Sequence, residues 1–306
     1  MMKSAFIEKI YKYKTLLLML LPAVLFFLVF SYLPMFGVII SFKSLDYSSG
    51  ILGSPWVGLQ NFKFMFLSGN LLSVTRNTVL YNLAFIIINN TFEIALAIML
   101  AELTGKYFKK IAQSLTFLPY FLSWVVVGAI VYNLFNYETG MMNGILKSLN
   151  MQALNLNSYP IAWIFIIIFF CLWKNIGYGS VIYLAAVTGI DSQMYEAAEI
   201  DGANIFNRII HITIPSLTPT IIILVLLSIG QIFRGDFSMF YQIVGGNSLV
   251  YNTTDVIDTF VTRSLLETRE FGMSAAAGLF QSVLCFLIIN VVNYAVRKVD
   301  KDYALF

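Results

Sequence analysis

The chain has 306 residues, of which 59% are apolar and only 11% charged, about half the charged share of a soluble domain. No soluble fold of this size can bury so much apolar surface, whereas a bilayer accepts it as solvent. The net charge of +3 gives no nucleic-acid signal, and Cys171, Cys285 and the lone His211 argue against a disulfide framework or a metal site.

Six apolar stretches are long enough to cross about 30 Å of hydrocarbon. The first, residues 16–36, follows Lys9, Lys12 and Lys14 and could pass for a secretory signal. Its apolar run is too long for one, and no small-residue cleavage pattern follows, so it reads as a permanent span. The second, 78–101, carries Asn89, Asn90, Thr91 and Glu93. An ionised carboxylate near the bilayer centre costs roughly 2.5–3.5 kcal/mol, so Glu93 needs a wet cavity or a partner, for which Lys174 is a candidate. The third, 111–135, ends in Tyr132 and Asn133, with Asn136 just beyond. The fourth, 161–186, holds Trp173, Lys174 and Asn175; the fifth, about 217–234, holds Gln231 and Arg234; the sixth, 275–296, holds Gln281 and Asn290. Ala97, Ala101 and Gly105, and Ser274, Gly278 and Ser282, recur every fourth residue, which lets helices approach closely.

Lysine and arginine favour one side. The pieces 1–15, 102–110, 187–216 and 297–306 hold most of them, among them Lys12, Lys14, Lys109, Lys110, Arg208, Arg297 and Lys298. The positive-inside rule then puts both termini and the loop 187–216 in the cytosol. The expected architecture is all-α and multi-pass in the cell membrane, one domain over 1–306. No repeat of 20–50 residues is visible, nor two halves with matching broken helices.

The loop 187–216 differs from the other cytosolic pieces. Asp191 and Ser192 are good caps for a helix opening at Gln193, on which Met194, Ala197 and Ala198 share a face. Asp201-Gly202 signals a turn. Ile205, Phe206, Ile209 and Ile210 suit a second short amphipathic helix, closed by Pro215 at the entry to the fifth span. An interfacial helix lying on lipid is the simpler reading, but Glu196, Glu199 and Asp201 would be repelled by anionic lipid.

Glu196-Ala197-Ala198, then Gly202, then Ile212-x-x-Pro215 resembles the EAA loop of binding-protein-dependent ABC importer permeases. Asp201-Gly202-Ala203 and Pro219 resemble the maltose-type, carbohydrate-uptake branch; Ile214 departs conservatively from the leucine usual before the proline. Pro22 and Pro34, Gly58-Leu59 with Asn61-Phe62, and the ending Asp302-Tyr303-Ala304-Leu305-Phe306 are similar to LplB-like polysaccharide-type permeases. The resemblance implies a type I ABC importer permease fold, with six transmembrane helices and a cytosolic coupling helix. It implies that Glu196 makes a polar contact with an ATPase, Ala197 and Ala198 allow close packing, and Gly202 makes the turn. It further implies a second permease subunit, two ATPase subunits, an extracellular or periplasmic substrate-binding protein and a saccharide.

The chain has no phosphate-binding loop of its own, since Gly105-Lys106 is followed by Tyr107 and lacks the upstream glycine. No cofactor is expected on it; ATP and Mg belong to the separate ATPase. Saccharides are held by amide and carboxylate hydrogen bonds and an aromatic face. The candidate path residues are Asn89, Asn90, Glu93, Tyr132, Asn133, Trp173, Asn175, Gln231 and Gln281, with Tyr120 and Trp124 as further stacking surfaces. Aromatic belts and interhelical amide bonds account for such residues equally simply. The alternatives are an ion-coupled secondary transporter, an ABC permease for a non-sugar solute, and a membrane scaffold or enzyme; no nucleophile–base pair or metal set supports an enzyme.

Overall fold

A computed structural model describes residues 12–67 and 69–299. The ending 302–306, Lys3 and Lys9 lie outside the described residues. Among the described residues there is no β-strand, only an isolated bridge between Lys43 and Trp56. The helices in order are α1 (Lys14–Phe42), α2 (Gln60–Leu67), α3 (Asn70–Glu102), α4 (Lys106–Phe121), α5 (Trp124–Phe135), α6 (Met141–Ser148), α7 (Pro160–Thr188), α8 (Ser192–Ile200), α9 (Ile205–Ile229), α10 (Phe237–Val244), α11 (Ile257–Leu266) and α12 (Phe271–Val299). Among the described residues α1, α3, α7, α9 and α12 are each long and apolar enough to cross a membrane, and α4 with α5 makes a sixth if that bent pair is one span. The chain is an all-α polytopic membrane protein.

The stretch 111–135, expected as one helix, is broken instead: α4 and α5 meet at 94°. Pro119 lies in the 3₁₀ turn Leu118–Phe121, where it cannot supply an amide to the ladder. Ser123 then restarts the helix as an N-cap, accepting from the Val126 amide. In hydrocarbon every freed carbonyl needs a donor. Lys174 answers one of them, its Nζ donating to the Tyr120 carbonyl at 2.7 Å.

The fifth span also differs. The second half of the loop is not a separate short helix but the first turns of α9, which runs unbroken from Ile205 to Ile229. Pro215 has no N–H to offer the His211 carbonyl, and a π-turn over Ile209–Thr213 absorbs the mismatch. Proline therefore adjusts the helix here rather than opening it.

The most extensive packing is α3 against α7, with Ala97 and Leu100 on Tyr183 and Leu184. In hydrocarbon such contacts gain packing rather than release of water, so small residues matter. At Gly177 a Cβ would overlap the Thr116 carbonyl, so α4 crosses α7 backbone to backbone. A second core joins α3, α5, α7 and α10 through Tyr81, Val127, Ile167 and Phe240. Three side chains of α3 hold the segment beyond α9. Asn77 donates to the Asn252 and Asp255 carbonyls, Tyr81 to Thr253, and Asn82 to Ile232 and Arg234. Among the described residues, none of the eighteen most apolar residues of α1 is buried, whereas its last turns, Phe36–Phe42, pack on α12.

Candidate translocation cavity and coupling loop

Polar groups of α3 recur at Asn82, Asn89 and Glu93, with Phe85 and Ile86 between, so that one helix face carries them all. Opposite stand Tyr178, Gly179 and Ile182 of α7 and Leu224, Leu227 and Ser228 of α9, with Gln231 and Arg234 beyond it. Together they enclose a cavity of about 480 Å³. Asn90 also lines it, held by a hydrogen bond from the Tyr183 hydroxyl. The Asn89 Oδ1 is buried with no hydrogen-bond partner among the described residues.

Glu93 sits where α7 has no side chain, since a Cβ at Gly179 would overlap its carboxyl group. The Arg234 carbonyl is bound at the level of Asn82, eleven residues from Glu93 along α3, or about 16 Å at 1.5 Å per residue. The cavity is thus long, with Arg234 toward one end and the Glu93 carboxylate toward the other. Lys174 does not pair with Glu93; it serves Tyr120 and lies over the Tyr120 and Trp124 rings at 5.1 and 5.3 Å.

The structure brings together Asn89, Asn90, Glu93 and Gln231 and places the other candidates elsewhere. Trp173 packs edge-on against Phe170. Asn175 donates to the Cys171 carbonyl one turn earlier. Gln281 bridges the Phe233 carbonyl and Asp258. Asn133 donates to the Ala129 carbonyl, and Tyr132 lines a different pocket. Tyr120 does not line the cavity; it stacks on Tyr178, which does, at 4.3 Å and 7°. Trp124 donates to Asp236. Sequence reasoning missed Asn82, Tyr178, Gly179 and Ser228 as lining residues. The signal for Asn82 was available, since it precedes Asn89 by two helical turns.

In the loop, Asp191 caps α8 by accepting from the Gln193 amide at 3.0 Å. Gly202 has φ +77° with nothing within 4 Å of the Cβ position, so the turn needs glycine for its backbone and not for space. The Tyr195 hydroxyl meets Thr213 Oγ1 at 2.9 Å and ties α8 to α9. Ala198, Ala203 and Ile212 are half-buried, while Glu196, Ala197, Asp201 and Pro215 are exposed. Ile200 and Phe206 stand 86% and 71% exposed on either side of the turn.

A polytopic helical bundle with a polar cavity and a capped, surface-held helix–turn–helix defines a membrane transport subunit. Residues 93–301 match the family of binding-protein-dependent transport system inner membrane components. Protein LplB of Bacillus subtilis is 34% identical over 94% of this chain and 90% of its own length. The polygalacturonan/rhamnogalacturonan transport system permease protein YteP of the same organism is 31% identical over 96% and 91%. A solved chain from a bacterial ABC transporter involved in the import of the acidic polysaccharide alginate superimposes with a TM-score of 0.87, at 29% identity and over 97% of this chain and 99% of its own. A chain of the alginate transporter in complex with a periplasmic protein bound to alginate pentasaccharide gives 0.85, at 29% identity over 96% and 98%. This chain belongs to the family of binding-protein-dependent inner membrane transport components. It is a transport subunit and not an enzyme, and the ion-coupled alternative is set aside.

Proposed function

We propose that this chain is one of two different permease subunits of an ABC importer, and that it passes an oligosaccharide from an external binding protein to the cytosol. The observation that carries the reading is the elongated cavity lined by amides, the Glu93 carboxylate and Arg234, backed by the saccharide names of the relatives. Amides and a carboxylate suit the hydroxyls of a sugar chain, and about 480 Å³ lies within the range of small-molecule sites. The partner permease supplies the remaining wall and covers α1, whose most apolar stretch is unburied among the described residues.

The α8–Gly202–α9 turn docks on one of two ATPase subunits, which bind ATP and Mg. Ile200 and Phe206 give the dock its apolar anchors and Glu196 its polar contact. Both termini and this loop lie in the cytosol, as the Lys and Arg of 102–110 and Arg208 support. The reading is tested by purifying the chain through a tag: a second permease and an ATPase should come with it, and recovery of the chain alone, folded in mild detergent, counts against it.

A further inference from the structure

We propose that the chain carries a second saccharide site, for a short neutral segment, in the pocket of about 440 Å³ between α5, α10 and the stretch joining α6 to α7. This rests on the reading above, which places that pocket on the outer side. Its base is Trp163, nine-tenths buried, with Phe135 beside it; its rim is Tyr132, Glu138, Asn157 and Gln242. The Tyr132 hydroxyl, the Glu138 carboxylate and the Asn157 and Gln242 amides belong to lining residues and make no side-chain hydrogen bond to any other described group, and the buried Trp163 Nε1 has no hydrogen-bond partner among the described residues. Aromatic faces beside uncommitted amides match a sugar ring, which has an apolar face and a hydroxyl edge.

The walls are preformed, which lowers the ordering cost of binding. Asn143 is fully buried and clamps the α6 segment, donating to the Tyr137 and Leu154 carbonyls at 3.0 Å and accepting from the Leu154 amide at 2.8 Å. Asn136 accepts from the Glu138 and Thr139 amides, and Asn155 from Asn157. Across the pocket, a Cβ at Gly128 would overlap the Gln242 carbonyl, so α5 and α10 touch by their backbones.

No Lys or Arg lines this pocket and Glu138 does. A uronate carboxylate would face Glu138 without a cation, whereas a neutral ring would not. The site therefore selects neutral sugar units, in contrast to the cavity that Arg234 lines.

The test uses the whole importer in proteoliposomes, as wild type and as the Gln242→Ala/Asn157→Ala double variant. It is titrated with maltose, cellobiose, galactobiose and digalacturonate and read by ligand saturation-transfer NMR. Both substitutions remove rim groups that hold nothing else, and ATP-driven uptake at saturating substrate reports intact assembly. At least one neutral disaccharide should bind wild type with Kd near ~1 mM and the double variant about tenfold more weakly; digalacturonate should bind wild type more weakly than that disaccharide. Failure of all three neutral sugars to bind, or equal binding by the double variant, overturns the site. Absence of ATP-driven uptake by the wild-type assembly overturns the permease reading instead.

Discussion

Gly179 and Glu93 share one space: the carboxyl group of Glu93 occupies the position that a side chain at 179 would need. The contact joins the two most closely packed helices, α3 and α7, at the wall of the polar cavity. Glycine there is a device for admitting a carboxylate between two closely packed helices.

Gly179→Ala should therefore act through Glu93. The group displaced is the far end of a flexible side chain, so the fold should survive with a cost below the ~1–3 kcal/mol of a rigid clash. Uptake should fall to the level of Glu93→Gln, with thermal stability within a few degrees of wild type. Normal uptake by Gly179→Ala beside impaired uptake by Glu93→Gln would separate the two residues and refute the coupling.

Gly202 should respond to backbone preference rather than to size. At φ +77° with open space around it, a Cβ costs about 1–2 kcal/mol, and asparagine tolerates the left-handed region better than β-branched residues. ATPase retention should fall in the order Gly202, Gly202→Asn, Gly202→Ala, Gly202→Val. Gly202→Asp adds a charge beside Asp201 and should also lose ATPase. Glu196→Lys should weaken docking through charge reversal. Retention of ATPase by Gly202→Val and Glu196→Lys at wild-type levels would remove this turn from the interface.

Much of this was legible because hydrocarbon imposes simple rules. Apolar length located α1, α3, α7 and α12, and the Asp191 cap and Asp201-Gly202 turn located α8. The break between α4 and α5 was not legible, since apolar length carries no information about direction and Pro119 alone does not fix an angle. Pro215 misled for the opposite reason: it suggested a boundary where a π-turn lets α9 continue. Trp173 and Gln281 were polar or aromatic residues in spans, but they serve packing and a loop carbonyl, and only the arrangement of helices separates those uses from a path.

Asn143→Ala should loosen the segment 137–154 selectively. Removing a fully buried amide with three hydrogen bonds leaves two carbonyls and an amide short of partners, at about 1–3 kcal/mol. Amide exchange in 137–154 should speed up by at least about tenfold while α3 and α7 keep their protection. Uniform loss of protection across the chain would show that Asn143 supports the whole bundle and not the loop.

Reconstitution measures whether this subunit passes an oligosaccharide through the cavity between α3, α7 and α9 only when ATP is hydrolysed by a partner. The chain, its partner permease and its ATPase are placed in liposomes with the binding protein and labelled oligosaccharide outside and ATP with Mg inside. The expected result is saturable accumulation that requires ATP, that falls at least about tenfold with Glu93→Lys, and that stops when the ATPase is omitted. Accumulation by this chain alone, or uptake driven by an ion gradient without ATP, would contradict it.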